Sequence, residues 1–156
     1  GTRVAAIKAL GNISFMPSIK NLIEFTKSSV SVEERLSATI ALGNMNDKSI
    51  IPVFKQLLTD EEPNVRWDAA IALAKLQDAS GLDIINNLLD RKYYQQFKEV
   101  DSEEEIQAIL IAINASNKIP SEQFIKNLLI LATVDRNMKI RDSAIKTLDQ
   151  TYNRKI

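Results

Sequence analysis

The chain reads as all-α, a right-handed α-solenoid of antiparallel helix pairs, and three observations predict that fold. A phrase recurs: Arg3-x-x-Ala6-x-x-Ala9-Leu10-Gly11, then Arg35-x-x-Ala38-x-x-Ala41-Leu42-Gly43, then Arg66-x-x-Ala69-x-x-Ala72-Leu73-Ala74, with starts 32 and 31 residues apart. Self-similarity at such a period marks stacked helical pairs. Between the phrases, apolar residues recur at helical spacing and no strand alternation appears. Capping residues and prolines fall where helix starts are needed.

Taken in order, the first phrase predicts a B-type helix over 2–12. Four A–B pairs then follow, over about 16–46, 48–78, 80–118 and 120–153, making about nine helices. Each A helix is an amphipathic stretch: Ile19 to Phe25 after Pro17, Ile50 to Leu58, Leu82 to Leu89, and Phe124 to Leu131. The last B helix carries a fainter phrase from Arg141, with Ala144 and Leu148 in place. Ser31-x-x-Glu34, Thr59-x-x-Glu62 and Ser102-x-x-Glu105 have capping-box form, which satisfies orphan N–H groups at a first turn. Pro63 suits a first helical turn, and Pro120-Ser121 a helix start. Gly11 and Gly43 sit near helix ends, where a left-handed residue costs little. The phrase alanines share one face and let helices approach closely. The following leucine fills the layer, its burial contributing roughly 1.5–3 kcal/mol.

The rhythm slips once. An insert at 90–102 adds about eight or nine residues, and the next B helix reads from Ile106, 40 residues after Arg66 and 35 before Arg141. Tyr93, Tyr94 and Phe97 fall in this insert at helical spacing. They suit either an extended A helix that packs down or a functional loop.

Pro52-Val53-Phe54-Lys55-Gln56-Leu57-Leu58-Thr59-Asp60, followed by Val65-Arg66-Trp67-Asp68-Ala69-Ala70-Ile71-Ala72-Leu73, resembles the HEAT repeat in its short, phycobilisome-lyase-like variety. The likeness covers nearly the whole chain, as a single repeat domain. In such families an Asp and an Arg six residues apart form a polar ladder. Asp60/Arg66 and Asp135/Arg141 match that spacing. Ser29/Arg35 keeps only the arginine and Ile106 has lost it, so an interrupted ladder is expected. Gly1-Thr2 begins the chain already inside the repeat rhythm, which suggests a piece of a longer array.

Composition narrows the function. Twenty basic and twenty acidic residues cancel, so no long-range field favours nucleic acid or an anionic membrane. Histidine and cysteine are absent, which removes Ser-His-Asp and Cys-His nucleophiles, imidazole and thiolate metal sites, and disulfides. The lack of cysteine fits a reducing, cytoplasmic compartment without requiring one. Metal-dependent hydroxylases of HEAT-like fold rest on His-Glu pairs, so that activity does not carry over. The acidic clusters Glu33-Glu34, Asp60-Glu61-Glu62 and Glu103-Glu104-Glu105 fit helix N-termini better than acid–base catalysis. No catalytic residue, cofactor or metal is expected, and no run of about 18 apolar residues spans a bilayer.

The informative positions are those the phrase leaves free. By resemblance the B helices line the concave side, where Leu36, Ile40, Trp67, Ile71 and Ile111 form an apolar band flanked by Lys8 and Lys146. Trp is the residue most enriched among interface hot spots. The same residues would serve equally if curvature buries adjacent B helices against one another. The expected function is a non-catalytic scaffold that binds a peptide or helix of another protein on that face. Lys8, Asp68 and Lys146 set polar register, and Tyr93, Tyr94 and Phe97 form a secondary candidate. A structural spacer role in a longer array is the alternative. Nucleic-acid binding, as in HEAT-like DNA glycosylases, is opposed by Asp68 and Asp142 on the same face. An accessory role in tetrapyrrole attachment is suggested only by the repeat subtype. Self-association through an uncapped first helix near Val4 to Leu10 is a further expectation.

Overall fold

The computed structural model describes residues 16–27 and 30–156, with side chains described from Ile19 on. The expected helix at 2–12, Lys8, Gly11 and the self-association surface lie outside the described residues. Within them the fold is all-α, with no strand. Its helices are α1 (Met16–Glu24), α2 (Val32–Gly43), α3 (Ile51–Leu57), α4 (Pro63–Lys75), α5 (Leu82–Leu88), α6 (Ser102–Lys118), α7 (Ile125–Val134) and α8 (Met138–Gln150). Short 3₁₀ turns at Lys48–Ile50, Ala79–Gly81, Arg91–Gln96 and Glu122–Phe124 lead between them.

The chain divides into two compact units, one ending at Gly81 and one beginning at Leu82. In the first, α1 packs on α2, α3 on α4, and the B helices α2 and α4 on each other. In the second, α5 packs on α6, α7 on α8, and α6 on α8. Each unit is thus two A–B hairpins joined through their B helices, the arrangement that lets a repeat bury a face it cannot bury alone. Phrase residues Ala38, Leu42, Ala69 and Leu73 join Leu22, Ile50, Phe54 and Val65 in the first core. Ile109, Ile113, Phe124, Leu128, Ala144 and Leu148 are buried in the second.

Helix starts follow local chemistry, with two changes of frame. Ser31 caps α2 by accepting the Glu34 N–H, and Pro63 opens α4 as expected. The cap of α4 is Glu62 rather than Thr59, because the Asp60 carboxylate already accepts the Glu62 N–H and moves the helix start on. The reciprocal box of α6 is Asp101-x-x-Glu104, one residue before Ser102. There the Asp101 carboxylate accepts the Glu104 N–H at 2.8 Å while the Glu104 side chain accepts the Asp101 N–H.

Gly43 does not take the expected left-handed conformation. Positive φ falls instead on Asn46 (52°) and Gln77 (64°) in the turns after α2 and α4, and on Asn153 (55°). Asparagine tolerates that region better than most residues. The glycine that geometry demands is Gly81, where a Cβ would stand 2.8 Å from the Ala70 Cα. Its absence lets the turn lie directly against α4.

Candidate functional site

One Arg–Asp pair in each unit fixes the turn between its A and B helices. In the first unit Arg35, 2% exposed, forks onto Asp60, with Nε donating to Oδ2 at 2.9 Å and Nη2 to Oδ1 at 3.0 Å. Its third nitrogen donates to the Val30 carbonyl. Asp60 Oδ1 also accepts the Glu62 N–H, and Arg66 donates to the Asp60 carbonyl at 2.8 Å. The side chain of Asp60 therefore pairs with the preceding repeat, and its backbone holds the arginine six residues on. Bidentate geometry and full hydrogen bonding are what make such burial tolerable.

The second unit rebuilds this device from a different part of the chain. Ile106 occupies the place of the missing arginine, and a residue outside the phrase supplies the fork instead. Arg91, in the insert, forks onto Asp135 with Nε–Oδ1 2.8 Å and Nη2–Oδ2 3.0 Å. Asp135 Oδ2 accepts the Asn137 N–H at 3.0 Å, and Arg141 donates to the Asp135 carbonyl at 2.6 Å. The third nitrogen of Arg91 meets the Glu105 carboxylate, beside Ile106, instead of a carbonyl. Burial pushes the Asp135 carboxyl up, but the Arg91 hydrogen bonds and the Asn137 N–H outweigh it and hold it below its ordinary value. The Asp135 hydrogen bonds raise the Arg91 guanidinium further above its ordinary value, despite partial burial.

The insert's aromatics pack on one another and against the end of α5. Asp90 accepts the Lys92 N–H and starts the 3₁₀ segment, so α5 ends at Leu88 and is not extended. Tyr94 is buried and donates its hydroxyl to the Leu88 carbonyl at 2.6 Å. Burial and the neighbouring Glu105 raise its phenol far above the ordinary tyrosine value. Tyr93 stacks edge-on against Phe97 with ring centroids 5.1 Å apart, and both are half-buried.

Of the expected band, Ile40, Asp68 and Ile71 come together. With Thr39, Gly43, Asn44, Ala72 and Lys75 they line a shallow groove of about 80 Å³ between α2 and α4. Ile40 is 41% exposed, while Leu36 and Ile71 are half-buried. Trp67, by contrast, is only 8% exposed and does not line this groove. The Asp68 carboxyl lies half-buried among these apolar neighbours, and its desolvation, only partly offset by Lys75, raises its pKa to about 6. In the second unit Ile111 is 49% exposed. Lys146 lies in a polar groove of about 480 Å³ between α6 and α8, with Asn114, Asn117, Ser143, Thr147, Gln150 and Thr151. There Asn117 donates to Thr147 at 3.0 Å, so hydrogen bonding replaces apolar contact.

Two further hollows flank the Arg–Asp pairs. In the first unit about 430 Å³ is lined by Ile23, Thr26, Lys27, Val53, Gln56 and Glu61 beside the Arg35–Asp60 pair. In the second about 410 Å³ is lined by Leu89, Lys92, Lys126, Ile130, Val134 and Arg136 beside the Arg91–Asp135 pair. Sequence reasoning missed this second hollow, although the apolar run Ile125–Val134 carries more apolar residues than one helix face can bury. Among the described residues no cluster of three or more acidic side chains is arranged to hold a metal ion. None of their helices is long and apolar enough to cross a membrane.

Paired helices, B-on-B packing and repeating buried charge pairs define a helical-repeat protein. The family model for HEAT repeats matches residues 19–100, just over half of the chain, and the chain belongs to that family. No curated protein matches the sequence. HEAT repeats serve in general as protein-interaction scaffolds.

Proposed function

We propose that this protein is a non-catalytic scaffold that binds a peptide or helix of another protein on its B-helix face, in the groove between α2 and α4. The observation that carries this reading is that the partly open apolar side chains Ile40 and Ile71 line one groove with the Asp68 carboxyl. Apolar side chains left partly open beside a polar group are what a partner's anchor residue can use. A lysine or arginine next to that anchor meets the Asp68 carboxylate and offsets the cost of its desolvation. Leu36 extends the apolar edge. Trp67, being buried, supports the helix that carries Asp68 and Ile71.

Selection of displayed random peptides on the purified chain tests this. Enriched sequences are expected to pair one large apolar residue with a nearby Lys or Arg. Ile40→Glu is expected to abolish their binding, and Asp68→Asn to remove the basic preference. Enriched peptides that bind Ile40→Glu as well as the parent chain would overturn the assignment.

A further inference from the structure

The hollow beside Arg91 and Asp135 has a chemistry its counterpart lacks. Its floor is apolar: Leu89 and Leu131 are buried, and Ile130 and Val134, one helical turn apart on α7, are 48% and 73% exposed. Its rim is cationic. Lys92 and Lys126 have no ion-pair partner among the described residues, and Arg136, largely exposed, reaches Glu105 only at 3.7 Å. The two carboxylates that line it are already engaged, Asp135 by Arg91 and Asp90 by the Lys92 N–H. In the first unit the matching hollow offers Lys27 and Arg35 against Asp60 and Glu61, so its charge balances, and its aliphatic lining is half-buried or buried.

We propose that the groove formed by α7 and the Arg91–Gln96 turn is a second docking surface, which takes an acidic amphipathic segment of a partner protein. Ile130 and Val134 receive apolar side chains spaced one helical turn apart, and Lys92, Lys126 and Arg136 meet flanking Asp or Glu residues. The volume, about 410 Å³, is within the range of side-chain and ligand pockets. Concavity favours a peptide over a lipid surface, because a bilayer needs its apolar contacts on a protruding face. Complementary charge supplies encounter rate and selectivity, and the apolar floor supplies residence time. This surface is separate from the α2–α4 groove and does not depend on it.

The probe is a fluorescein-labelled synthetic peptide with leucines at i and i+4, glutamates flanking them and alanines elsewhere, a composition that favours helix. It is followed by fluorescence anisotropy on the full chain. Binding is expected to be saturable and to weaken severalfold on raising salt to about 0.3 M, where screening is strong. The same peptide with lysine for glutamate is expected not to bind. Val134→Asp, and Lys92→Glu with Lys126→Glu, change exposed side chains and are expected to weaken binding at least about tenfold, whereas Lys27→Glu in the counterpart hollow leaves it unchanged. Circular dichroism confirms that each variant is folded. Equal binding of the glutamate and lysine peptides, binding that survives both groove variants, or no binding at all would each overturn the proposal. So would binding to phosphatidylserine vesicles through these residues in place of the peptide.

Discussion

The two units share one plan and invert its surface. In the first, the groove between B helices joins the apolar side chains of Ile40 and Ile71 to Asp68, while the hollow at the buried charge pair is charge-balanced. In the second, the groove between B helices is polar, with Asn117 hydrogen-bonded to Thr147, while the hollow at the charge pair is apolar with a cationic rim. Both units keep the buried Arg–Asp fork, because it satisfies the turn between the A and B helices. What each unit offers a partner is set by positions that the fork and the core leave free. A repeat scaffold can therefore carry different binding chemistry on successive units without changing its frame.

The strongest way to break the comparison is to remove the forks. Asp60→Ala orphans a nearly inaccessible arginine and is expected to cost about 3–5 kcal/mol, read by urea denaturation. Arg91→Ala is expected to cost less, about 2–3 kcal/mol, because water reaches this pair more easily. A loss below about 0.5 kcal/mol, the scale of a neutral surface change, would mean that the insert does not rebuild the ladder.

Glycines sharpen the contrast between turn and helix end. Gly81→Ala drives a Cβ into the Ala70 backbone and is expected to cost about 1–3 kcal/mol in thermal denaturation. Gly43→Ala meets only the Ala72 Cβ at 3.6 Å, with no positive φ to strain. It is expected to be neutral or to stabilise by about 0.5–1 kcal/mol.

Titration separates the two B-helix grooves. The Asp68 pKa is raised from 3.8 to about 6 by desolvation, so the folded state holds its proton more tightly than the unfolded chain does. Its contribution to stability is therefore best at acid pH, falls as pH rises between 3.8 and about 6, and is flat above. Asp68→Asn is expected to stabilise the protein by roughly 1–3 kcal/mol at neutral pH, with no difference below the unfolded carboxyl value. A gain that does not change with pH would remove Asp68 from its desolvated position.

The smallest effect concerns the start of α6. Asp101→Ala is expected to cost about 1 kcal/mol, whereas Ser102→Ala, one position inside the helix, is expected to cost a few tenths. Equal losses would return the cap to Ser102.

Much of this was legible in the chain, and the residues show why. Ala38, Leu42, Ala69 and Leu73 are buried where the phrase puts them, since close helix packing tolerates few alternatives at those positions. Ile40, Asp68 and Ile71 were also readable, because the face of a helix follows from its period. Trp67 was less so: its position on the helix was clear, but its burial depends on what surrounds it. The Arg91–Asp135 pair was not legible. Its partners stand 44 residues apart, and the frame shift hid that an arginine from the insert could replace the one lost at Ile106.

The sequence by itself determined the all-α fold, the helix pairs and the small-residue faces on which they meet, because periodicity and capping are local and repeat. Only the tertiary structure decided which arginine answers Asp135, that Gly81 rather than Gly43 is sterically required, and which apolar side chains stay open. Those outcomes depend on distances between residues far apart in the chain. The insert shows in the repeat rhythm, but the pairing it makes possible, Arg91 with Asp135, does not.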